Sequence, residues 1–245
     1  MKNNYIYGKN TVLNALDASF KVKNLYLVKG FKDPRIERIL KEKKVKVEYL
    51  NSNDFKSLVG NVNHQGIVAK VEEYSYLSLD ELINKNKDNP NSLLVLLDGI
   101  EDPHNLGAIL RSVDAFGANG VIISTNRQVG LTPTVAKVST GAIEYVDVCQ
   151  VVNLNQAIKR LKDEGYWIVA SDGEAKLDYR QVDYKDMKTV LIVGSEGFGV
   201  SKLLLKNSDF IVKIPMVGHV NSLNASVACA IFLAQIYNKR NGLNE

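Results

Sequence analysis

The C-terminal two thirds of the chain alternate apolar, β-rich runs with helix-like runs, and this alternation restricts the fold more than any other feature. The predicted strands are Leu93 to Leu97, Gly120 to Ile123, Trp167 to Ala170, Val190 to Val193 and Phe210 to Ile214. The predicted helices are Leu106 to Phe116, Leu154 to Glu164, Ser201 to Leu205 and Ala225 to Lys239. Strands that alternate with helices indicate an α/β fold with a mainly parallel sheet covered on both faces.

A second, smaller α/β pattern occupies the first third of the chain. Its predicted strands are Leu25 to Val28, Val45 to Leu50 and Gly66 to Val71. Its predicted helices are Asn10 to Ala18, Pro34 to Lys44 and Ser52 to Val59. A capping-box pattern at Ser78 to Glu81 predicts a short helix, and the polar run 86–92 is typical of a connector. We therefore expect a domain at 1–72, a linker at 73–92 and a larger domain at 93–245.

The two predicted domains differ in charge. Residues 1–72 carry 14 Lys and Arg against 7 Asp and Glu, whereas residues 73–245 carry 17 against 20. Lysines near phosphates release counterions and attract RNA without reading its sequence. A solvated surface would explain the lysine-rich run 41–46 equally well, so both interpretations stay open at this point.

Several classes of protein do not fit this composition. Residues 1–10 contain no apolar stretch of signal-peptide length, and no window approaches the roughly 18 apolar residues of a membrane helix, so we expect a cytosolic protein. Cys149 and Cys229 both lie in apolar runs, which argues against a disulfide framework and a cysteine zinc site. The three histidines are far apart in sequence, and we expect no metal.

Three glycine- and asparagine-rich junctions, at 98–117, 194–201 and 214–224, each join a predicted strand to a predicted helix. Ligands in parallel sheets bind beyond the carboxyl ends of strands, so we expect the three junctions to share one site. Their polar side chains are Asn105, Arg111, Glu196, Ser222 and Asn224. The second junction lacks both the Gly-Lys-Ser/Thr of a P-loop and the third glycine of a dinucleotide fingerprint. A P-loop NTPase and a Rossmann oxidoreductase are therefore excluded.

Most of these side chains also have a purely structural explanation. Asn105 stands where a helix N-cap belongs, and Ser222 or Asn224 could cap the last helix. Arg111 could be a solvent-exposed helical arginine, although its stem leans toward the Asn105 end, where it could hold a phosphate or a developing alkoxide. A plain turn needs no glutamate at Glu196, which favours a functional role there.

Taken together, the junctions resemble the signature motifs of the SpoU-type branch of the SPOUT class of RNA 2′-O-ribose methyltransferases. The motifs are Asp102-Pro-His-Asn-Leu-Gly with Arg111, Val193-Gly-Ser-Glu-Gly-Phe-Gly, and Ile214-Pro-Met with Asn221-Ser-Leu-Asn-Ala-Ser. The resemblance continues into the first domain through Tyr7-Gly8 and His64-Gln-Gly-Ile. It is closest to bacterial enzymes that methylate a guanosine of 23S ribosomal RNA.

This resemblance implies a pocket for S-adenosylmethionine (AdoMet), a trefoil knot in the catalytic domain, a homodimer, and a ribosomal-protein-like first domain that binds RNA. The implied catalytic residues are Asn105, Arg111, Glu196, Ser222 and Asn224. The residues implied to hold AdoMet are Gly194, Ile214, Met216 and Leu223. The alternatives that remain are methylation of transfer RNA, resistance-type methylation of ribosomal RNA, and a non-catalytic RNA-binding factor of ribosome assembly.

Overall fold

The computed structural model describes residues 5–17, 22–72 and 74–242. These residues divide into two compact units. The first unit contains residues up to Ser75 together with Leu131–Glu144, and the second contains Tyr76–Gly130 and the chain from Tyr145 onward.

Strands and helices alternate along the described residues. The strands are β1 (Tyr5–Tyr7), β2 (Val22–Val28), β3 (Lys46–Leu50), β4 (Ile67–Val71), β5 (Leu93–Asp98), β6 (Gly120–Ser124), β7 (Val148–Val151), β8 (Trp167–Ser171), β9 (Leu177–Asp178), β10 (Thr189–Gly194) and β11 (Phe210–Lys213). The helices are α1 (Lys9–Asp17), α2 (Pro34–Glu42), α3 (Ser52–Val59), α4 (Leu79–Asn86), α5 (Pro103–Ala115), α6 (Pro133–Val138), α7 (Leu154–Asp163), α8 (Lys202–Lys206) and α9 (Ala225–Arg240).

The first unit is built on a four-stranded sheet in the order β1-β4-β2-β3. Only the pair β2–β3 is parallel, whereas β4 runs antiparallel to both of its neighbours. Helix α1 buries Val12 and Leu16 and packs against α2 and β4. Helix α6 also belongs to this unit and packs against α1, although in sequence it lies between β6 and β7.

The second unit is built on a seven-stranded sheet in the order β7-β6-β5-β10-β8-β11-β9. Every neighbouring pair in this sheet is parallel. Strand β10 is buried along its whole length, which fits its near-continuous apolar sequence and its central place in a sheet covered on both faces. The predicted α/β fold with a mainly parallel sheet is thereby confirmed.

The predicted strands and helices correspond to elements of the structure, with ends that differ by a few residues. The prediction missed the short elements β1, α6, β7 and β9. The predicted end of the first helix at Ala18 lies outside the described residues.

Helix α4 begins at Ser78 with the predicted capping box, since the Glu81 backbone N–H donates to the Ser78 hydroxyl and the Glu81 carboxylate accepts from the Ser78 backbone N–H. Its Leu82 is fully buried in a cluster with Leu94 and Ile168 of the second unit. The predicted division into a domain at 1–72, a linker and a domain at 93–245 stays a prediction.

Helix α5 begins three residues earlier than predicted. Asp102 is its N-cap, because the Asp102 carboxylate accepts from the His104 backbone N–H at 2.8 Å, and Pro103 occupies the first helical position. The interpretation of Asn105 as the N-cap is therefore wrong, and its side chain is free for other contacts. Within the described part of the chain, no helix is long and apolar enough to cross a membrane.

Candidate active site

A cavity of about 350 Å³ lies at the carboxyl ends of β8, β10 and β11. It is lined by 171–173, 193–200 and 212–214, and on the other side by Met216, 221–223 and the buried face of α9. The cavity therefore lies at the edge of the sheet where ligands of parallel α/β folds bind.

Most of the residues predicted from the motifs line this cavity. They are Gly194, Glu196, Ile214, Met216, Ser222 and Leu223. Asn105, Arg111 and Asn224 are not part of the lining, and two of these three reach it through hydrogen bonds.

Three side chains connect the three junctions directly. The Asn105 amide donates to Glu196 Oε1 at 3.0 Å, and the Asn224 amide donates to Asn105 Oδ1 at 2.9 Å. The Asn224 amide also donates to Glu196 Oε1. We call this set the Asn–Glu–Asn cluster. It joins residues that lie up to 119 positions apart in sequence.

Asn224 combines the two roles that the sequence left open. Its Oδ1 accepts from the backbone N–H groups of Ser226 and Val227, which makes it the N-cap of α9, one of the two caps that the sequence allowed. Its amide nitrogen belongs to the Asn–Glu–Asn cluster. Because the cap fixes the side chain, the start of α9 positions the cluster. Ser222 is not the cap and lines the cavity instead.

Glu196 presents one carboxylate oxygen to the cluster. Both amides donate to Oε1, while Oε2 accepts no hydrogen bond from any described residue. The carboxylate is therefore held in one orientation and keeps one oxygen available for a ligand of the cavity.

The loop that carries Glu196 folds back closely on the end of β10. The Gly199 backbone N–H donates to the Ser195 carbonyl at 2.9 Å. A Cβ atom at Gly194 would lie 2.0 Å from the Gly199 carbonyl carbon, so only glycine fits there. The Ser201 backbone N–H donates to Asp98 Oδ2 at 2.7 Å, which ties this loop to the end of β5.

Arg111 lies on the exposed surface of α5, six residues after Asn105 and so about 9 Å farther along the helix axis. Its guanidinium forms no hydrogen bond or ion pair with any described residue. A free cation at this position is available to a polyanionic ligand, although it does not line the cavity.

Sequence reasoning missed two charged residues of the cavity lining, Asp172 and Lys213. The Asp172 backbone N–H donates to the Val212 carbonyl at 2.9 Å, which places the loop after β8 beside β11. The available signal was Ser171-Asp172-Gly173, a polar turn that follows a predicted strand at the same edge of the sheet.

Neither cysteine of the chain offers a reactive thiol. Burial raises the pKa of both Cys149 and Cys229 to about 12, so both stay protonated near neutral pH. Among the described residues, no group of three or more His, Cys, Asp or Glu side chains could hold a metal ion.

Comparison with known families decides the assignment. Residues 92–234, which include all three junctions, match the model of the SpoU rRNA methylase family. The chain belongs to this family. Residues 5–77 match a second family model, described as the substrate-binding domain of RNA 2′-O-ribose methyltransferases.

Individual SpoU relatives agree with the family models. A TrmH family tRNA/rRNA methyltransferase of Staphylococcus haemolyticus is 42% identical over all of this chain and 99% of its own length. The AdoMet-bound rRNA methyltransferase of Sinorhizobium meliloti is 26% identical with a TM-score of 0.64, over 95% of this chain and 85% of that one. The SpoU methyltransferase AviRb of Streptomyces viridochromogenes, at 23% identity and a TM-score of 0.66 over 97% and 90% of the two chains, shares the fold.

The SpoU-family chain is therefore an AdoMet-dependent RNA methyltransferase, as its motifs predict. The cavity suits that cofactor. Its volume is within the range of small-molecule sites, and Ile214, Met216 and Leu223 give it apolar surface for an adenine ring. Asp172 and Lys213 supply opposite charges for a zwitterionic amino-acid end.

Proposed function

We propose that the chain transfers a methyl group from AdoMet to the ribose 2′-hydroxyl of a guanosine in 23S ribosomal RNA. The Asn–Glu–Asn cluster carries this proposal, because it brings a residue of each signature motif together beside a cavity of cofactor size. The choice of 23S guanosine is supported by the resemblance to bacterial enzymes of that specificity, which includes the first domain.

AdoMet supplies an electrophilic methyl carbon when bound. In this proposal, Ile214, Met216 and Leu223 contact its adenine, and Gly194 lines the cavity beside it. The reacting hydroxyl must then be held in line with the methyl carbon. Ser222 and the free oxygen of Glu196 line the cavity and can hold it.

Arg111 acts on the RNA in this proposal. An arginine side chain keeps its proton in proteins, so it serves poorly as a general base. Its exposed guanidinium binds the phosphate next to the target ribose and stabilises the alkoxide as the hydroxyl gives its proton to the free oxygen of Glu196. The Asn–Glu–Asn cluster fixes the geometry of the loops around the reacting atoms.

The remaining parts of the proposal come from the resemblance. We propose that the chain works as a homodimer in the cytoplasm, that residues 1–72 bind the RNA and that residues 93–245 carry out the reaction. The match of residues 5–77 to a substrate-binding family supports this division of labour.

Maps of 2′-O-methyl groups in ribosomal and transfer RNA, from cells with and without the gene, test the choice of substrate. We expect one 23S guanosine to lose its methyl group, and purified protein with labelled AdoMet should restore it on 23S RNA from the deleted strain. Loss of a mark only in transfer RNA would support the alternative that the S. haemolyticus relative's name also includes. A lost ribosomal mark accompanied by new antibiotic sensitivity would indicate a resistance enzyme, and unchanged maps would indicate a non-catalytic assembly factor.

A further inference from the structure

The first unit contains a groove of about 370 Å³ that is separate from the candidate active site. Residues at regular helical spacing build it. Helix α1 contributes Asn10, Leu13, Asn14 and Asp17, helix α2 contributes Arg35, Arg38 and Ile39, and helix α6 contributes Lys137. Positions separated by three, four and seven residues share one helix face, so two helix faces form the walls of the groove. Its volume is in the range of small-ligand sites.

The groove combines an apolar base with polar walls. Leu13 and Ile39 are buried and supply the apolar surface. Asn14 Oδ1 accepts a hydrogen bond from Lys137 at 2.9 Å, which leaves the amide N–H groups of Asn14 available. The Asn10 side chain is exposed and forms no hydrogen bond with the described residues. Amides above an apolar surface suit a planar ring with donors and acceptors on its edge.

The charge of the groove favours an anion. Three cations face a single carboxylate, that of Asp17, which lies 4.0 Å from Lys137. Arg35 is held by Asp33, with Nη2 3.3 Å from Oδ2. Arg38 is exposed and has no hydrogen bond or ion pair with any described residue. An unpaired guanidinium beside an apolar surface can bind a phosphate while the surface covers the attached base.

We propose that this groove binds one unpaired nucleotide of the RNA substrate, with its base over Leu13 and Ile39 and its phosphate at Arg38. The inference rests on the proposed function, since it takes RNA as the substrate. Proteins recognise RNA sequence mainly through single-stranded segments whose bases are splayed out, and a positively charged groove that follows the backbone is a common part of such sites. The groove thus supplies a second contact, outside the catalytic cavity, that selects looped over paired RNA.

Fluorescence anisotropy on the full-length protein tests the proposal with three probes. They are a labelled single-stranded RNA dodecamer, the same strand with abasic riboses throughout, and the blunt duplex of the same sequence. We expect the abasic strand and the duplex to bind at least about fivefold more weakly than the intact strand.

Two variants distinguish the contribution of the base contact to affinity from that of the phosphate contact. Arg38→Gln should weaken binding of the intact strand about fivefold and lower the magnitude of its log–log salt slope by roughly 0.7, the loss of one phosphate contact. Asn10→Ala should weaken binding of the intact strand and leave binding of the abasic strand unchanged. Lys56→Gln is the matched control, because this exposed lysine of α3 lies in the same unit outside the groove. It should change affinity less than about twofold.

Two results would overturn the proposal that the groove binds a nucleotide. One is an equal loss in Arg38→Gln and Lys56→Gln, which would indicate a diffuse electrostatic surface. The other is equal affinity of the wild-type protein for the intact and abasic strands. Calorimetric titration measures the AdoMet affinity of every variant, which should equal that of the wild-type protein. Protein that binds the dodecamer as expected but neither binds AdoMet nor methylates RNA would instead contradict the proposed function and leave the groove standing.

Discussion

Single atoms decide the shape of the candidate site. At Gly194 the space for a side chain is already occupied by the backbone of Gly199 and Val200. Three residues later, Gly197 has a φ of 85° and nothing within 4 Å of where its Cβ would lie. Glycine is therefore needed at the two positions for different physical reasons. At Gly194 the reason is the close approach of another backbone segment, and at Gly197 it is the backbone conformation.

Alanine substitutions at Gly194 and Gly197 distinguish these two requirements. Gly194→Ala should lower the free energy of unfolding by about 4 kcal/mol or more, because backbone atoms must move. Gly197→Ala should cost only about 1 to 2 kcal/mol, the strain of a left-handed conformation. Urea denaturation measures both variants, and AdoMet titration reports whether the cavity survives. Equal stability of the two variants would contradict the close approach at Gly194.

Arg111 is the residue on which the proposed chemistry depends most. Arg111→Ala should reduce methyl transfer by at least about 100-fold, since a charge that stabilises the developing alkoxide is removed. AdoMet affinity should stay the same, because the side chain does not line the cavity. Lys159→Ala, which removes an exposed cation of α7, is the control for net charge. Substantial residual methylation by Arg111→Ala would remove this residue from the mechanism.

At the scale of elements, the end of α9 is fixed by an arginine. Arg240 donates to the carbonyls of Asn91, Tyr184 and Met187 and to the Thr189 hydroxyl. Burial lowers the pKa of its guanidinium. These contacts hold the end of the last helix against the start of β10, at the opposite end of that strand from the cavity.

Removing this arginine should destabilise the second unit. Arg240→Met keeps the aliphatic stem and removes the donors to the Asn91 and Tyr184 carbonyls, which should cost about 2 to 4 kcal/mol. Lys239→Met, the neighbouring position of the same helix, should cost less than about 1 kcal/mol. Thermal unfolding followed by circular dichroism compares the two. A change in Tm no larger than that of the Lys239 variant would show that the contacts contribute little.

Elements differ in how far local sequence specifies them. Helix α2 has an N-cap at Asp33, a proline at its first position and apolar residues at helical spacing, so it was predicted. Strand β7 has only four residues and pairs solely with β6 among the described strands, and α6 has six residues. Such short segments have too few residues to show a period, and their neighbours in space stabilise them.

Across the whole molecule, charge and chemistry occupy different parts of the sequence. The excess of basic residues lies in 1–72, whereas the candidate site lies after residue 97. Deleting 1–72 would be a poor test of this division, because α6 buries Val135 and packs against α1. Tests of the division of labour should therefore use the full-length chain.

Salt should therefore affect the two ligands differently. RNA affinity should fall with a log–log slope of roughly −0.7 to −0.9 for each phosphate contact. AdoMet affinity should change much less over the same range, because the described lining of its cavity has only three charged side chains, of both signs, at Asp172, Glu196 and Lys213. Titrations of both ligands at increasing potassium chloride measure the slopes. A flat RNA titration would contradict a phosphate-binding first domain.

The sequence by itself determined the α/β class, the helix start at Ser78 and the three motifs, and it limited the cap of α9 to Ser222 or Asn224. These features depend on the spacing of apolar residues, on capping side chains and on turn residues, which are local properties of the chain. The cap of α5 at Asp102 is also a local property, since a proline at the first helical position marks the start, and the interpretation of Asn105 as the cap overlooked it. Only the tertiary structure brought Asn105 to Glu196, added Asp172 and Lys213 to the cavity, and grouped α6 with the first unit. The physical reason is that these contacts depend on the order of strands in a sheet, and residues 91 positions apart meet only after that order is set.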